Sequence, residues 1–383
     1  MEIAMCYWRL KGFNGTDQFI GGIETYLLNL NRLCQRLGIS VTLYQCASRE
    51  FVTDVEGLRV VGVKTPNLMH TERSRRVLAY RAFSSIDVGK DIILFGGDQW
   101  SIPTDYPRAI AIQHGIGWDC PIQLMTKKKA LMSGLGEQIK RLSLRRRWLN
   151  YFRNCRNRVC VDYNFYNWYK TYATIRPEEN IWIIPNSAEI ADKSKVEEKW
   201  AKKDKVIRIL FSRRFEKRRG IRVIAEAATQ ILRKYNHVEF TFAGEGDDRC
   251  WLASHFKEKP RVSITKYLPA QSQQVHLSHD IAVAPSLGSE GTTLSVAEAL
   301  GAGCAVVASP VGGITNMILS GYNGILVQPK PNNIAETLTR LINDEHMRLR
   351  LSRCGYETAS NVFSIGTWED SWAQVVEWVK AVK

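Results

Sequence analysis

Two glutamates eight residues apart, Glu290 and Glu298, flank the start of a predicted helix in the C-terminal half of the sequence. The apolar run 281–284 predicts a buried strand, and the helix is expected to begin near Thr292 or Thr293. The first amides of a helix lack partners within it, and its dipole favours an anion there. The pattern therefore predicts a phosphate site between two carboxylates, which suits a sugar and a ribose flanking a diphosphate. Solvated helix-end acids fit the spacing alone equally well.

A group of cations follows another predicted strand, 206–212. Arg213 comes directly after it, at the carboxyl end that faces the ligand crevice in open α/β sheets. We expect Arg213, with Arg219 or Lys217 and the amides of 292–294, to stabilise the negative charge of a bound diphosphate. No Asp-x-Asp pair occurs in the sequence, so we expect no required metal ion and no cofactor.

The elements that must position these residues alternate between short apolar runs and amphipathic stretches along most of the chain. Such alternation predicts parallel sheets covered by helices, and so an α/β fold with two doubly wound domains. We place the N-terminal domain at 1–190 and the C-terminal domain at 191–365, joined by the polar stretch 190–205. The last helix, 366–383, carries three tryptophans and is expected to pack back toward the N-terminal domain. The predicted strands are 3–8, 39–46, 58–63, 91–95, 109–113, 159–162, 181–185, 206–212, 238–243, 262–266, 280–284, 305–309 and 324–327.

The segment 285–309 resembles the Glu-x7-Glu signature of the family 4 retaining glycosyltransferases, which have the GT-B fold. Further family features occur in the expected order, densest from about 206 to 324. They are Gly21-Gly22-Ile23-Glu24, Ile184-Pro185-Asn186, the stretch 212–220, and Gly244-Glu245-Gly246. Two positions depart from the family: Arg219 stands where the family has a lysine, and Gly291-Thr292-Thr293 replaces Gly-Phe-Gly. Arginine and lysine differ in geometry, so the resemblance leaves open whether Lys217 or Arg219 meets the diphosphate.

The resemblance implies a GT-B enzyme that transfers a sugar with retention of anomeric configuration. The C-terminal domain would bind the donor, a UDP-sugar first and a GDP-sugar second, and the N-terminal domain a glycan or lipid-linked acceptor. His114, at the end of the strand 109–113, corresponds to a family histidine near the transferred sugar. Implied catalytic residues are Glu290, Arg213 and His114; implied donor-binding residues are Gly21, Gly22, Arg219, Lys217, Gly244, Gly291, Thr292, Thr293, Leu294 and Glu298. Asp98 and Asp119, each just after a predicted strand, are weaker acceptor-site candidates.

The charge of the chain is concentrated. Lys and Arg exceed Asp and Glu by 15, and the stretch 127–158 alone holds eleven cations and one acid. Its apolar residues Leu131, Leu135, Ile139 and Leu142 share one helical face, which predicts an anionic membrane surface as a partner. A solvated helix that buries this face in its own domain is the alternative. We expect no nucleic-acid partner, because no RNA-reading motif accompanies the charge.

The remaining features concern location and competing functions. The N-terminus lacks a signal-peptide pattern, and the nine cysteines form no C-x-x-C pair, so we expect a cytoplasmic protein, peripheral on the inner membrane face. Surface polysaccharide or glycolipid synthesis would suit it. A nucleotide-sugar epimerase of the same fold and a non-catalytic basic membrane- or nucleic-acid-binding protein remain alternatives. A nicotinamide dehydrogenase is disfavoured, because Gly301-Ala302-Gly303 closes a helix instead of opening one.

Overall fold

A computed structural model describes residues 1–18, 21–118, 134–202, 206–288 and 290–382. Asp119, Leu131 and the first part of the basic stretch therefore lie outside the described residues. The chain divides into two compact units: Met1–His114 with Ser133–Ile184 and Glu369–Lys383, and Gly115–Met132 with Pro185–Trp368. Both units are α/β, with helices packed on a largely parallel sheet, which confirms the predicted fold class.

In the described part of the first unit, eight strands form one sheet in the order β3-β4-β2-β1-β5-β6-β7-β8. The sheet is parallel except at its β3 edge. Its strands are β1 Glu2–Tyr7, β2 Ser40–Ala47, β3 Phe51–Val55, β4 Leu58–Lys64, β5 Ile92–Phe95, β6 Ala109–Gln113, β7 Asn157–Cys160 and β8 Asn180–Ile183. Its helices are α1 Gly22–Arg36, α2 Glu72–Phe83, α3 Gly134–Phe152 and α4 Tyr163–Tyr172.

The strand β3 is absent from the sequence-based prediction. It pairs antiparallel with β4 across a two-residue turn, in which Glu56 and Gly57 have φ values of 53° and 77°. Two positive φ values are typical of the hairpin turn that matches sheet twist, but the usual first residue is Asn, Asp or Gly. Because glutamate seldom takes that position, the turn carried no recognisable signal.

Among the described residues of the second unit, six parallel strands form a sheet in the order β11-β10-β9-β12-β13-β14. This is the order of a doubly wound dinucleotide-type fold. Its strands are β9 Ile207–Ser212, β10 Val238–Ala243, β11 Val262–Thr265, β12 Ile281–Ala284, β13 Ala305–Ala308 and β14 Ile325–Leu326. Its helices are α5 Lys193–Ala201, α6 Ile221–Lys234, α7 Arg249–His255, α8 Ser272–Leu277, α9 Leu294–Gly301, α10 Pro331–Asn343 and α11 Glu345–Val362.

The polar stretch expected to be a plain connection contains the helix α5. Asp192 caps it by accepting a hydrogen bond from the Ser194 amide at 2.8 Å. One helical turn apart, Val196 is fully buried and the Trp200 indole donates to the Gly303 carbonyl at 3.1 Å. Two large apolar residues among five charged ones gave too weak a periodicity to predict this helix.

The last helix, α12, spans Ile365–Ala381, and its residues from Glu369 onward group with the first unit. Trp372 is fully buried there, and its indole N–H donates to the Tyr26 hydroxyl at 2.7 Å. Arg36 forms an ion pair with Glu369. The predicted packing of this helix toward the N-terminal domain is therefore confirmed.

Candidate functional site

The candidate site lies at the carboxyl edge of the second sheet, where the strand order reverses between β9 and β12. Arg213 directly follows β9, and Ser286 and Glu290 lie in the loop after β12. Loops that leave neighbouring strands in opposite directions open a crevice at this point of an open α/β sheet. The residues predicted from two separate motifs are therefore brought together by topology.

Glu290 is the centre of the site. Its Oε1 accepts hydrogen bonds from Arg213 Nη2 at 2.7 Å and from the Ser286 hydroxyl at 2.5 Å, and it pairs with Arg219. Arg213 also donates to Ser286 Oγ at 2.5 Å. The other oxygen, Oε2, accepts from Thr293 Oγ1 at 3.2 Å. Three donors on one oxygen fix the carboxylate rigidly beside two guanidinium groups.

Burial and charge act against each other at this carboxylate. The side chains of Glu290 and Arg213 are 5% and 6% exposed. Burial raises the pKa of Glu290, but the charges of Arg213 and Arg219 outweigh it and lower the pKa to about 2. Burial also lowers the pKa of Arg213, against the opposing charge of Glu290. The cluster carries two positive charges and one negative, so it retains an excess for an anionic ligand.

Arg219, and not Lys217, reaches the carboxylate. Both lie in a short 3-10 turn, Lys217–Arg219, and Lys217 is exposed. The turn ends at Gly220, whose φ is 76° and where a side chain would collide with the Pro285 carbonyl. Gly244 allows a similarly close approach, because a Cβ there would collide with the Arg213 carbonyl. These two glycines let the neighbouring loops pack tightly around the two arginines.

The helix α9 begins at Leu294, with Thr293 as its N-cap, so Glu290 precedes it and Glu298 lies within it as predicted from the sequence. The Thr293 amide donates to Met317 Sδ at 3.1 Å and the Val296 amide to the Thr293 carbonyl at 3.0 Å, so the first-turn amides that could meet an anion are those of Leu294 and Ser295. Thr292 Oγ1 accepts from the Asn186 amide at 2.8 Å, and Gly291 supplies a carbonyl to Thr293. The loop is thus held by its own hydrogen bonds.

Glu298 lies within α9, and its charge acts on two groups that sequence reasoning missed, Tyr267 and His276. Burial raises the pKa of Tyr267, and the Glu298 charge raises it further. Burial lowers the pKa of His276, and the Glu298 charge acts in the opposite direction on that pKa. The Tyr267 hydroxyl hydrogen-bonds to Ser212. A small cavity beneath this edge is lined by Ser212, Arg213, His276 and Ser295 among others.

Three predicted residues lie in the first unit. His114 follows β6, and its Nε2 contacts the Gly96 carbonyl at 2.9 Å; burial lowers its pKa to about 4, so the ring is neutral near pH 7. Gly21 and Gly22 open α1, but the Gly21 amide donates to Glu24 Oε2 at 2.9 Å. The Gly21 amide, which was predicted to contact phosphate, is thus hydrogen-bonded to the Glu24 carboxylate instead.

Asp98 is also placed by the structure. It is 2% exposed, and burial raises its pKa to about 8. It is therefore a buried, largely protonated acid and not a solvated loop residue. Across the described residues, no group of three or more His, Cys, Asp or Glu side chains could hold a metal ion.

The chain is similar to known proteins in part of its sequence and in its fold. Residues 206–344 match the family model "Glycosyl transferases group 1". The fold is similar over 100% of both chains to a sucrose-phosphate synthase of Thermosynechococcus elongatus, with TM-score 0.74 and 15% identity. Anabaena HepE, solved in complex with UDP-glucose, gives TM-score 0.68 with 15% identity over 99% of this chain and 100% of that one.

The chain has the GT-B fold. Among curated relatives, this GT-B chain is 32% identical over 141 residues to an uncharacterized glycosyltransferase of Methanocaldococcus jannaschii, 36% of each chain. It is 33% identical over 138 residues, 35% of each chain, to an N,N'-diacetylbacillosaminyl-diphospho-undecaprenol alpha-1,3-N-acetylgalactosaminyltransferase of Campylobacter jejuni. The alignments thus span about a third of these relatives' lengths.

Proposed function

We propose that the chain is a metal-independent, retaining glycosyltransferase of family 4. It transfers a sugar from a nucleotide-sugar donor, a UDP-sugar first and a GDP-sugar second, to a glycan or lipid-linked acceptor. The convergence of Arg213 and Arg219 on Glu290, before the first turn of α9, carries this proposal. The group 1 family match over the same residues supports it.

Each side chain has a role that follows from its position. The two guanidiniums and the α9 amides neutralise charge that builds on the nucleoside diphosphate as it departs. Glu290, with Oε1 held by three donors, presents Oε2 toward hydroxyls of the transferred sugar. Glu298 binds the ribose hydroxyls, with Tyr267 and His276 beside it. His114 contacts the sugar as a neutral hydrogen-bonding group.

The acceptor half of the proposal rests on α3 and on the relatives. Ile139 and Leu142 are 60% and 58% exposed, so this part of the apolar face is not buried in its own unit. With the surrounding cations, it suits an anionic bilayer, and a lipid-linked acceptor would be presented there. The Campylobacter jejuni relative is named for a diphospho-undecaprenol acceptor, and another, of Mycolicibacterium smegmatis, is a phosphatidyl-myo-inositol mannosyltransferase. Among the described helices, none is long and apolar enough to cross a membrane.

The donor half is tested by thermal-shift screening of nucleoside diphosphates and their sugar conjugates. A ligand at 100 times its Kd stabilises the folded state by about 2.7 kcal/mol, which is readily detected. Arg213→Gln should lose the shift, whereas the matched change Arg214→Gln, at a side chain 57% exposed, should keep it. Equal shifts in both variants would refute the site.

Transfer itself is tested by donor turnover with and without acceptor extract. Glu290→Gln and Glu298→Gln should reduce transfer at least a hundredfold while the fold remains intact. Conversion of the donor to another sugar nucleotide without acceptor would identify an epimerase instead, an alternative that the comparisons do not favour. Tight binding to anionic vesicles without any nucleotide binding would identify the non-catalytic alternative.

The membrane half is tested by co-sedimentation with vesicles containing phosphatidylglycerol. Charge reversal at Arg145, Arg146 and Arg147 should abolish binding if α3 lies on the bilayer. A control reversal at Lys257 and Lys259, exposed residues of the second unit, should leave most of it. Unchanged binding in the arginine variant would remove the membrane from the proposal.

A further inference from the structure

A second positively charged cluster lies in the first unit, apart from the residues assigned above. It consists of His70, Arg75, Trp100, Arg147 and Tyr151, and we refer to it as the basic-aromatic cluster. Trp100 lies just beyond the carboxyl end of β5, the strand that pairs with β1 in the sheet. Arg75 lies in the first turn of α2, His70 just before that helix, and Arg147 and Tyr151 in α3.

Arg75 has an unusual environment for a charged side chain. It is 9% exposed, and its guanidinium donates to the Ser101 carbonyl at 2.8 Å and lies 4.7 Å from the centre of the Tyr151 ring. Its Nε is buried without a hydrogen-bond partner, and among the described residues no carboxylate forms an ion pair with it. Burying a guanidinium without a counter-ion is costly, so the position indicates an anion supplied from outside.

The cluster opens to solvent through His70. This exposed ring packs edge-on against Trp100 at 4.9 Å and Tyr151 at 5.6 Å, and its Nε2 hydrogen-bonds to the Gln99 carbonyl. The pKa of His70 is lowered by partial burial and, further, by the charges of Arg75 and Arg147. Arg75 lies against the Tyr151 ring, which packs on His70, and Arg147 precedes Tyr151 by one turn of α3.

The nearby acid does not neutralise this charge. Glu72, in the same turn as Arg75, forms a hydrogen-bonded ion pair with Arg76 at 2.7 Å, and both side chains are about two-thirds exposed. The positive end of the α2 dipole adds to the field at this turn, where Thr71 caps the helix. The balance of charge around His70 is therefore positive.

We propose that the basic-aromatic cluster binds a phosphate or diphosphate group of the acceptor. This inference rests on the proposed function, because it assigns a chemical class to the acceptor of that reaction. Arg75 supplies the buried charge and Arg147 the solvent-side charge, while the rings of His70, Trp100 and Tyr151 pack around them. An acceptor without phosphate would leave Arg75 without its counter-ion.

The test measures binding of inorganic pyrophosphate and of geranyl diphosphate by isothermal titration calorimetry. Arg213→Gln serves as the background, so that the candidate donor site contributes little. Added to this background, Arg75→Gln should weaken binding at least tenfold. Arg73→Gln, an exposed arginine in the same turn, makes the same charge change and should alter it less than twofold.

Two further variants keep the test decisive if Arg75→Gln unfolds. Arg75→Lys retains the charge and should weaken binding by less than the glutamine change, whereas His70→Ala removes an exposed ring and should weaken binding at least threefold. Equal affinities for Arg75→Gln and Arg73→Gln, or no binding of either probe to the background protein, would overturn the proposal.

The two probes separate the sources of the phosphate. Tighter binding of geranyl diphosphate than of pyrophosphate supports a lipid-linked acceptor, and equal binding supports a water-soluble phosphorylated glycan. Failure of the proposed function would be seen separately: the wild-type protein would not bind any nucleoside diphosphate. The two failures are thus distinguishable.

Discussion

Replacing Glu290 with glutamine should destabilise the second unit by a predictable amount. Glutamine resembles the protonated carboxyl in size, so the change removes the charge that Arg213 and Arg219 stabilise. Their charges lower the Glu290 pKa from 4.5 to about 2, and a shift of that size corresponds to about 3 kcal/mol. Removing one member of a buried ion pair typically costs about 3–5 kcal/mol, which agrees.

The same shift fixes the pH dependence. Because the folded-state pKa lies below the unfolded one, the stabilisation is complete above pH 4.5 and disappears as the pH falls toward 2. Between those limits, the difference between wild type and Glu290→Gln should shrink by about 1.4 kcal/mol per pH unit.

Urea unfolding followed by circular dichroism at pH 7 and pH 3.5 measures both quantities. Glu239→Gln is the control, because its ion pair with Arg208 is 3.6 Å long and well exposed, and it should cost about 0–1 kcal/mol. A Glu290→Gln protein as stable as wild type at pH 7, or a loss independent of pH, would refute the electrostatic reasoning.

Three further predictions concern single residues. Gly220→Ala should lower the free energy of unfolding by more than about 1 kcal/mol, because the new Cβ would collide with the Pro285 carbonyl. Gly321→Ala should cost less, because Gly321 has a similar φ of 85° but open space where a Cβ would lie. Similar losses in the two variants would show that the collision with Pro285 is unimportant. Trp372→Phe should cost about 1–3 kcal/mol in urea unfolding because a tyrosine hydroxyl loses its buried donor, and Trp378→Phe, 42% exposed, should cost little; the reverse order would contradict the packing of α12. His114 should remain neutral at pH 6 in an NMR titration, since its pKa is about 4, and its contribution to stability should fall only as the pH drops from 6.5 toward 4; a titration near pH 6.5 would contradict its burial.

Much of the site could be predicted because it depends on local sequence. Strand, loop and helix follow one another within 281–301, so the positions of Glu290 and Glu298 relative to the start of α9 follow from periodicity alone. The meeting of Arg213 with Glu290 requires only that β9 and β12 be neighbours, which the doubly wound order supplies.

The rest depends on contacts distant in sequence. Nothing local indicates that Arg219 and not Lys217 would reach the carboxylate, because that choice is set by where the 3-10 turn ends at Gly220. Arg75 carried no motif, and its burial arises only when α3 packs beside α2. Side chains that gain importance from a distant neighbour leave no pattern along the chain.

Isothermal titration of UDP, and then GDP, into the wild-type protein tests the central claim most directly. The account predicts binding of one nucleoside diphosphate, at least tenfold weaker in Arg213→Gln and in Arg219→Gln, and unchanged within twofold in Arg214→Gln. Failure of both nucleotides to bind, or equal affinity in all four proteins, would show that the arginine-flanked carboxylate is not a diphosphate site.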